Sequence, residues 1–142
     1  MDVLLSIRPK HVKAIEQGKK KFEFRKVIFR KSVERIYIYE TSPTSQIVGF
    51  FEVGNIIEDC PNRLWSALHS DSGVSESDFL AYYGQSQHGF AIEIKNAVFF
   101  KTPIKPKDLN QSFIPPQSFR YINQTDFSSP SIIDKKLTNN HQ

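Results

Sequence analysis

Cysteine is nearly absent from the sequence: Cys60 is the only one among 142 residues. An intrachain disulfide is therefore impossible, which excludes the disulfide-stapled class of small secreted domains. No apolar run approaches the ~20 residues that a membrane span needs. The N-terminal segment carries an acid, Asp2, where a signal peptide carries basic residues. These absences predict an intracellular protein, and we expect it in the cytoplasm without membrane contact.

Patterns that bind metals or cofactors are also missing. The four histidines are scattered along the chain, with no spacing typical of metal ligands and no cysteine pair beside them. The six glycines form no phosphate-binding loop, and no G-x-S-x-G sequence marks a nucleophilic serine. We therefore expect no metal ion and no cofactor.

Positive charge is concentrated at the start of the chain. The formal net charge is +4, yet residues 1–35 contain eleven Lys and Arg against four Asp and Glu, a balance of +7. The other 107 residues carry eight bases and eleven acids, a balance of −3. Clustered cations attract phosphate groups, but a lysine-rich face can also serve only solubility. Charge alone leaves both interpretations open.

Hydrophobic patterning predicts a domain with more strand than helix. Alternating apolar and polar residues, or short apolar runs, predict strands at residues 3–7, 21–25, 35–40, 46–57 and 89–100. Helical spacing with start and stop residues predicts short helices at residues 9–17, 62–69 and 75–83. We expect an α+β fold, mainly β, in which a curled or closed antiparallel sheet carries peripheral helices.

The last part of the chain has a different composition. Prolines become frequent after Thr102, which predicts a segment that wraps the outside of the core rather than adding central strands. Beyond Asn123 the sequence is mostly polar. We therefore expect one domain at residues 1–123, followed by a flexible polar tail at residues 124–142.

The segment at residues 18–25, Gly-Lys-Lys-Lys-Phe-Glu-Phe-Arg, combines charge with strand periodicity. On a strand, Glu23 and Arg25 share one face about 6.8 Å apart, while Phe22 and Phe24 anchor the opposite face in the core. A carboxylate beside cations stays ionised and orients them. This arrangement suits a polar or phosphorylated ligand, whereas an exposed strand with surface ion pairs would explain the same pattern.

The spacing Gly18-x-Lys20-x-x-Glu23-x-Arg25 resembles the G-x-K-x-x-E-x-R signature of ASCH domains, which belong to the PUA-like superfamily. The opening sequence LSIRP at residues 5–9 is also similar to the start of that family. The resemblance implies a PUA-like five- or six-stranded β-barrel with short peripheral helices. It also implies a cleft lined by the motif residues and a role in binding RNA or nucleotides. The binding residues that it implies are Ser6, Arg8, Lys20, Glu23 and Arg25.

An enzyme is the alternative that the resemblance leaves open. Some ASCH relatives are amidohydrolases that deacetylate N4-acetylcytidine, and their motif carries Thr, the proposed nucleophile, where this chain has Glu23. Here Lys20 and Glu23 would be the catalytic residues, with Glu23 activating water while Lys20 or Arg25 stabilises an oxyanion. Another branch of the superfamily is linked to RNA cleavage. We rank RNA or nucleotide binding first, and a modified-nucleoside hydrolase or a ribonuclease second.

Aromatic residues make up 13% of the chain, and exposed rings offer stacking surfaces for bases. The candidates for stacking are Tyr37, Tyr39, Phe50, Phe51, Tyr82 and Tyr83. Tyr37 and Tyr39 alternate with Ile36 and Ile38 on one predicted strand. If the isoleucines face the core, the tyrosines lie on the outside of the sheet. We therefore expect Tyr37 and Tyr39 to be available for stacking.

Overall fold

The computed structural model describes residues 1–109, 112–122 and 137–138. Its elements, in chain order, are β1 (Asp2–Ile7), α1 (Pro9–Glu16), β2 (Phe22–Arg25), β3 (Arg35–Glu40), β4 (Gln46–Asp59), α2 (Pro61–Leu68), a 3₁₀ turn (His69–Asp71), α3 (Glu76–Tyr83), β5 (Gly89–Ile104), α4 (Pro106–Leu109), β6 (Phe119–Ile122) and β7 (Leu137–Thr138). Every predicted strand and helix is present, with ends shifted by at most four residues. Among the described helices, none is both long and apolar enough to cross a membrane.

The strands form one mixed sheet in the order β2-β5-β4-β3-β1-β6, and β7 pairs with β5. β1 runs parallel to β3, whereas the other pairs are antiparallel. The prediction of an α+β fold, mainly β, is confirmed, but the prediction of a purely antiparallel sheet is wrong. A parallel pair needs a crossover of about a dozen residues or more, and residues 8–34, which contain α1 and β2, provide it.

The sheet is not closed into the predicted barrel. Within the described residues, no backbone pairing joins β2 to β6, the two ends of the strand order. Side chains bridge the gap instead, because the Arg25 guanidinium donates to Ser118 Oγ at 3.0 Å and the Phe29 and Phe119 rings lie 5.9 Å apart. The barrel is therefore not confirmed, and β2 and β6 flank an open seam that these side chains cross.

Both faces of the central strands are covered by apolar side chains. One face packs against α1 in a cluster that includes Val3, Leu5, Val12, Ile15, Ile36, Ile38 and Phe51. The other face forms a second cluster of Leu4, Tyr37, Tyr39, Ile47, Phe50, Phe100, Ile104 and Ile122. Tyr37 and Tyr39 are each 5% exposed, so the prediction that they are available for stacking is wrong. Alternation separates the two faces of a strand, but it does not reveal that both are buried.

Helices α2 and α3 cover the end of the sheet that contains β2. The Phe24 ring of β2 meets the Phe79 ring of α3 edge to face, with 5.1 Å between the ring centroids. The two rings belong to a small cluster completed by Leu64, Tyr83 and Ala91. This packing confirms that Phe24 anchors β2, and it brings α3 close to the segment at residues 18–25.

The proline-rich segment leads to an edge strand. β6 pairs antiparallel with β1 and lies at the end of the strand order, as expected of a segment that adds no central strand. The predicted tail at residues 124–142 lies outside the described residues except for Leu137–Thr138, which pairs with β5. The domain boundary at residue 123 and the flexibility of the tail therefore stay predictions.

Candidate functional site

A tight turn after α1 places Lys20 beside the sheet. Gly18 has a φ of 76°, a conformation that glycine adopts with little strain. The backbone N–H of Lys20 then donates to the carbonyl oxygen of Ala14 at 3.1 Å. The backbone N–H of Lys21 donates to the backbone carbonyl oxygen of Asp71 at 2.8 Å. These two hydrogen bonds hold the turn in place. The positive φ at its first residue explains why the motif begins with glycine.

The side chain of Lys20 is almost completely buried, with 3% of its surface exposed. Its Nζ donates to the carbonyl oxygen of Ser72 at 3.1 Å and lies 3.7 Å from Glu23 Oε1. The ammonium also lies 5.0 Å from the centre of the Phe24 ring, a cation–π distance. A side chain at Gly73 would place its Cβ 2.6 Å from Lys20 Cβ. Close packing and polar contacts therefore fix Lys20 in one position.

Glu23 joins two cations. Its Oε1 faces Lys20, and its Oε2 accepts a hydrogen bond from Arg25 Nη1 at 3.1 Å. Arg25 in turn donates from Nη2 to Ser118 Oγ at 3.0 Å, so the network reaches across the seam. Because only 7% of the Glu23 side chain is exposed, the alternative of an exposed strand with surface ion pairs is wrong. Lys20, Glu23 and Arg25 together are termed the charged cluster.

The charged cluster lines a cavity of about 480 Å³, termed the central cavity. This volume falls within the range of about 300–1,000 Å³ that is usual for small-molecule sites. The binding residues named by sequence all line it: Ser6, Arg8, Lys20, Glu23 and Arg25. Ser6 is held by a hydrogen bond from its Oγ to the carbonyl oxygen of Pro116 at 2.6 Å. The structure therefore brings these five residues together, while their role in binding stays a proposal.

Sequence reasoning missed other residues of the central cavity. His11 of α1 and Asp78 and Tyr82 of α3 also line it. His11 lacks metal-ligand spacing in the sequence, although it lies in the first turn of α1, three residues after Arg8, which directly precedes that helix. Tyr82 is one of the aromatic residues that the sequence offers for stacking, but no local signal places it or Asp78 in this cavity, because α3 reaches the cavity only through tertiary packing against β2.

Burial changes the proton affinity of three groups in the central cavity. Burial lowers the pKa of Lys20, and the charge of Glu23 opposes that shift. Burial also lowers the pKa of His11, and the positive charge of Lys20 lowers it further. Burial raises the pKa of Tyr82. At neutral pH His11 is therefore mostly neutral and can accept a proton, whereas Tyr82 keeps its hydroxyl proton.

The carboxylates of the central cavity are paired with cations rather than gathered around a metal position. Glu23 lies between Lys20 and Arg25, and Asp78 Oδ2 accepts a hydrogen bond from Lys10 Nζ at 2.9 Å. In the part of the chain that the structure describes, no group of three His, Cys, Asp or Glu side chains is arranged to hold a metal ion. The expectations of no metal and no cofactor stay predictions.

Proteins from two bacteria illustrate what the chain resembles in sequence. A protein of Zymomonas mobilis named "ASCH domain-containing ribonuclease" is 30% identical over 128 residues, which cover 85% of this chain and 84% of that protein. A protein of Ureaplasma parvum named "Large ribosomal subunit protein uL22" is 26% identical over 123 residues, which cover 84% of this chain but 39% of that protein. No family model matched the sequence.

A solved structure also resembles the fold. The crystal structure of ASCH from Zymomonas mobilis superposes with a TM-score of 0.85 at 26% sequence identity. The superposition covers 97% of this chain and 96% of that one. The similarity therefore extends over the whole sheet and over α3, which borders the central cavity.

Proposed function

The chain belongs to the ASCH domain family, and from this premise we propose that it binds single-stranded RNA or a nucleotide in the central cavity. The observation that carries the proposal is the charged cluster, whose three residues line this cavity together with Arg8. The similar protein from Zymomonas mobilis is named a ribonuclease, which supports RNA as the ligand class.

The charge of the central cavity favours an anionic ligand. Four cations line it, Arg8, Lys10, Lys20 and Arg25, against the two carboxylates of Glu23 and Asp78. The hydrogen bond from Arg25 to Glu23 holds the guanidinium plane in a defined orientation. An oriented guanidinium can bind two phosphate oxygens at once, and the surplus of positive charge attracts the phosphate from a distance.

An aromatic ring gives the central cavity a surface on which a nucleotide base can stack. Tyr82 of α3 is 40% exposed and lines the cavity, and the ammonium of Lys26 lies 5.1 Å from the centre of its ring. An exposed ring beside cations is a stacking surface for a base. A base must be unstacked and unpaired to enter a cavity, which favours single-stranded RNA over a duplex.

We expect the wild-type protein to bind a short fluorescent single-stranded RNA with strong dependence on salt. Arg8 and the charged cluster together carry a net charge of +2, so a ligand that occupies both has about two phosphates neutralised, and its affinity should fall roughly sevenfold between 50 and 200 mM salt. Fluorescence anisotropy measures this directly, and a duplex of the same sequence serves as the control. Absent binding, or affinity that does not change with salt, would contradict the proposal.

Cleavage of RNA is a second candidate function, favoured by the name of the Zymomonas mobilis relative. In this reaction the ribose 2′-oxygen attacks the adjacent phosphorus, the bond from phosphorus to the 5′-oxygen breaks, and a 2′,3′-cyclic phosphate forms. Neutral His11 takes the proton of the 2′-hydroxyl, and charged Lys20 gives a proton to the leaving 5′-oxygen. Arg8 and Arg25 stabilise the negative charge on the phosphoryl oxygens.

Hydrolysis of N4-acetylcytidine has weaker support. Glu23 stands where the amidohydrolases of the family carry their threonine, and both of its oxygens are engaged by cations. Such engagement leaves neither oxygen free to attack a carbonyl carbon or to activate water. The same engagement suits a residue that orients Lys20 and Arg25 toward a phosphate.

A further inference from the structure

A second cavity of about 410 Å³ adjoins the central cavity and is termed the outer cavity. It lies where the end of α1 meets the loop before α3. Four residues line both cavities: Lys10, His11, Val74 and Asp78. The two cavities are therefore adjacent along these four residues.

The outer cavity has its own cationic and imidazole groups. Lys19 and His69 line it and do not line the central cavity. Lys19 directly precedes the buried Lys20, so adjacent lysines of the motif serve different cavities. The His69 ring rests 5.5 Å from the Trp65 ring and its Nδ1 lies 3.0 Å from the Trp65 carbonyl oxygen, contacts that hold the imidazole at the rim.

An ion pair marks the junction of the two cavities. Lys10 Nζ lies 2.9 Å from Asp78 Oδ2, and the side chains are 58% and 53% exposed. Exposed pairs contribute little to stability, so Lys10 can exchange Asp78 for a phosphate at small cost. The junction is therefore a position where a phosphate that links two nucleotides would meet a cation.

We propose that the outer cavity is a second nucleotide subsite, so that the ligand of this protein is an RNA strand of at least two nucleotides. This inference rests on the proposed function, because it extends the ligand of the central cavity. The linking phosphate lies at Lys10, and the next phosphate along the strand lies at Lys19 and His69. A mononucleotide fills the central cavity and leaves Lys19 without a phosphate.

The test compares the affinities of 2′-O-methyl oligonucleotides of one, two and four nucleotides, each carrying a phosphate at both ends. The dinucleotide then has one phosphate more than the mononucleotide and can place it at Lys19, and the 2′-O-methyl groups prevent formation of the cyclic phosphate. The wild-type protein should bind the dinucleotide about tenfold more tightly than the mononucleotide, because a further charged contact is made. Lys19→Ala should remove most of this gain and leave the mononucleotide affinity unchanged. Lys13→Ala is the matched control, because Lys13 is an exposed lysine of α1 that lines neither cavity.

Each outcome of the comparison is decisive. Equal affinities for one and two nucleotides would overturn the second subsite and leave the central cavity as the whole site. A Lys19→Ala variant that behaves like Lys13→Ala would overturn it as well. Failure of every oligonucleotide to bind would overturn both the subsite and the proposed function. Asp78→Asn, which frees Lys10, should raise the dinucleotide affinity several-fold, whereas Glu76→Gln on the same helix should not.

Discussion

The Glu23→Gln variant is expected to lose about 3 kcal/mol of its free energy of unfolding at pH 7, because it leaves a buried cation without its counter-charge. The side chains of Lys20 and Glu23 are 3% and 7% exposed, and their charges lie 3.7 Å apart. Without Glu23, the ammonium of Lys20 still donates to the carbonyl oxygen of Ser72 but has no negative charge beside it among the described residues. The melting temperature should therefore fall by roughly 10 °C.

A second substitution should restore part of the stability that Glu23→Gln loses, because the charges of Lys20 and Glu23 are paired. Lys20→Met alone should cost less, because Arg25 still neutralises Glu23. Lys20→Met combined with Glu23→Gln should recover at least half of the stability that Glu23→Gln loses, since the most deeply buried cation is removed. Arg25, whose side chain is 14% exposed, keeps its hydrogen bond to Ser118. Urea denaturation of the three variants and the wild type gives the full cycle. Equal and additive losses would contradict the buried pair.

The pH dependence of stability has a definite sign. Burial lowers the pKa of Lys20 in the folded protein below its usual value of 10.5, so the unfolded chain binds the proton more tightly. Stability therefore rises as the pH rises from the lowered pKa toward 10.5. Glu23→Gln removes the charge that opposes the shift, so the rise in its stability should begin at a lower pH than that of the wild type.

The Lys20→Met variant is expected to lose at least about 100-fold of any RNA-cleaving activity, because a single proton donor or charge-stabilising group contributes 10²–10⁴-fold. Its affinity for RNA should fall much less, since Arg8 and Arg25 still contact phosphate. Cleavage of end-labelled single-stranded RNA in the presence of a chelator measures the rate. Lys101→Met is the matched control, because Lys101 is an exposed lysine of β5 outside both cavities.

Two results would show that Lys20 is not the proton donor in the cleavage reaction. Undiminished cleavage by Lys20→Met would mean that another group protonates the leaving oxygen. Equal losses in rate and affinity would mean that Lys20 only binds the substrate. The product separates the candidate activities further, because a 2′,3′-cyclic phosphate marks attack by the ribose hydroxyl.

Local signals in the sequence predicted the elements well. The capping box of α3 is present, with Ser75 Oγ accepting from the Asp78 backbone N–H at 3.1 Å. The strand register of β4 shifts between Ile47 and Gly49, where glycine suggests a bulge. Long-range features were not predictable in this way, since the parallel pairing of β1 with β3 depends on how the whole segment between them packs.

In the site, too, the local sequence pattern predicted some features, whereas others depend on tertiary packing. The spacing of Lys20, Glu23 and Arg25 identified the charged cluster, because three residues of one turn and strand must stay close together. Nothing in the local pattern showed that Lys20 is buried, since its cover comes from Ser72 and Gly73, about fifty residues away in the chain. The sequence offered Tyr82 as a stacking residue, but its place in the central cavity depends on the packing of α3 over β2.

The salt dependence of RNA affinity in the Arg8→Gln variant tests the central claim most directly. Arg8 lines the central cavity but takes no part in the ion pairs of the charged cluster, so its loss leaves that cluster intact. If the central cavity binds the phosphate backbone, the slope of log affinity against log salt should become less steep by about 0.7, while Arg63→Gln on α2 leaves it unchanged. Identical slopes for Arg8→Gln and the wild type would contradict the account.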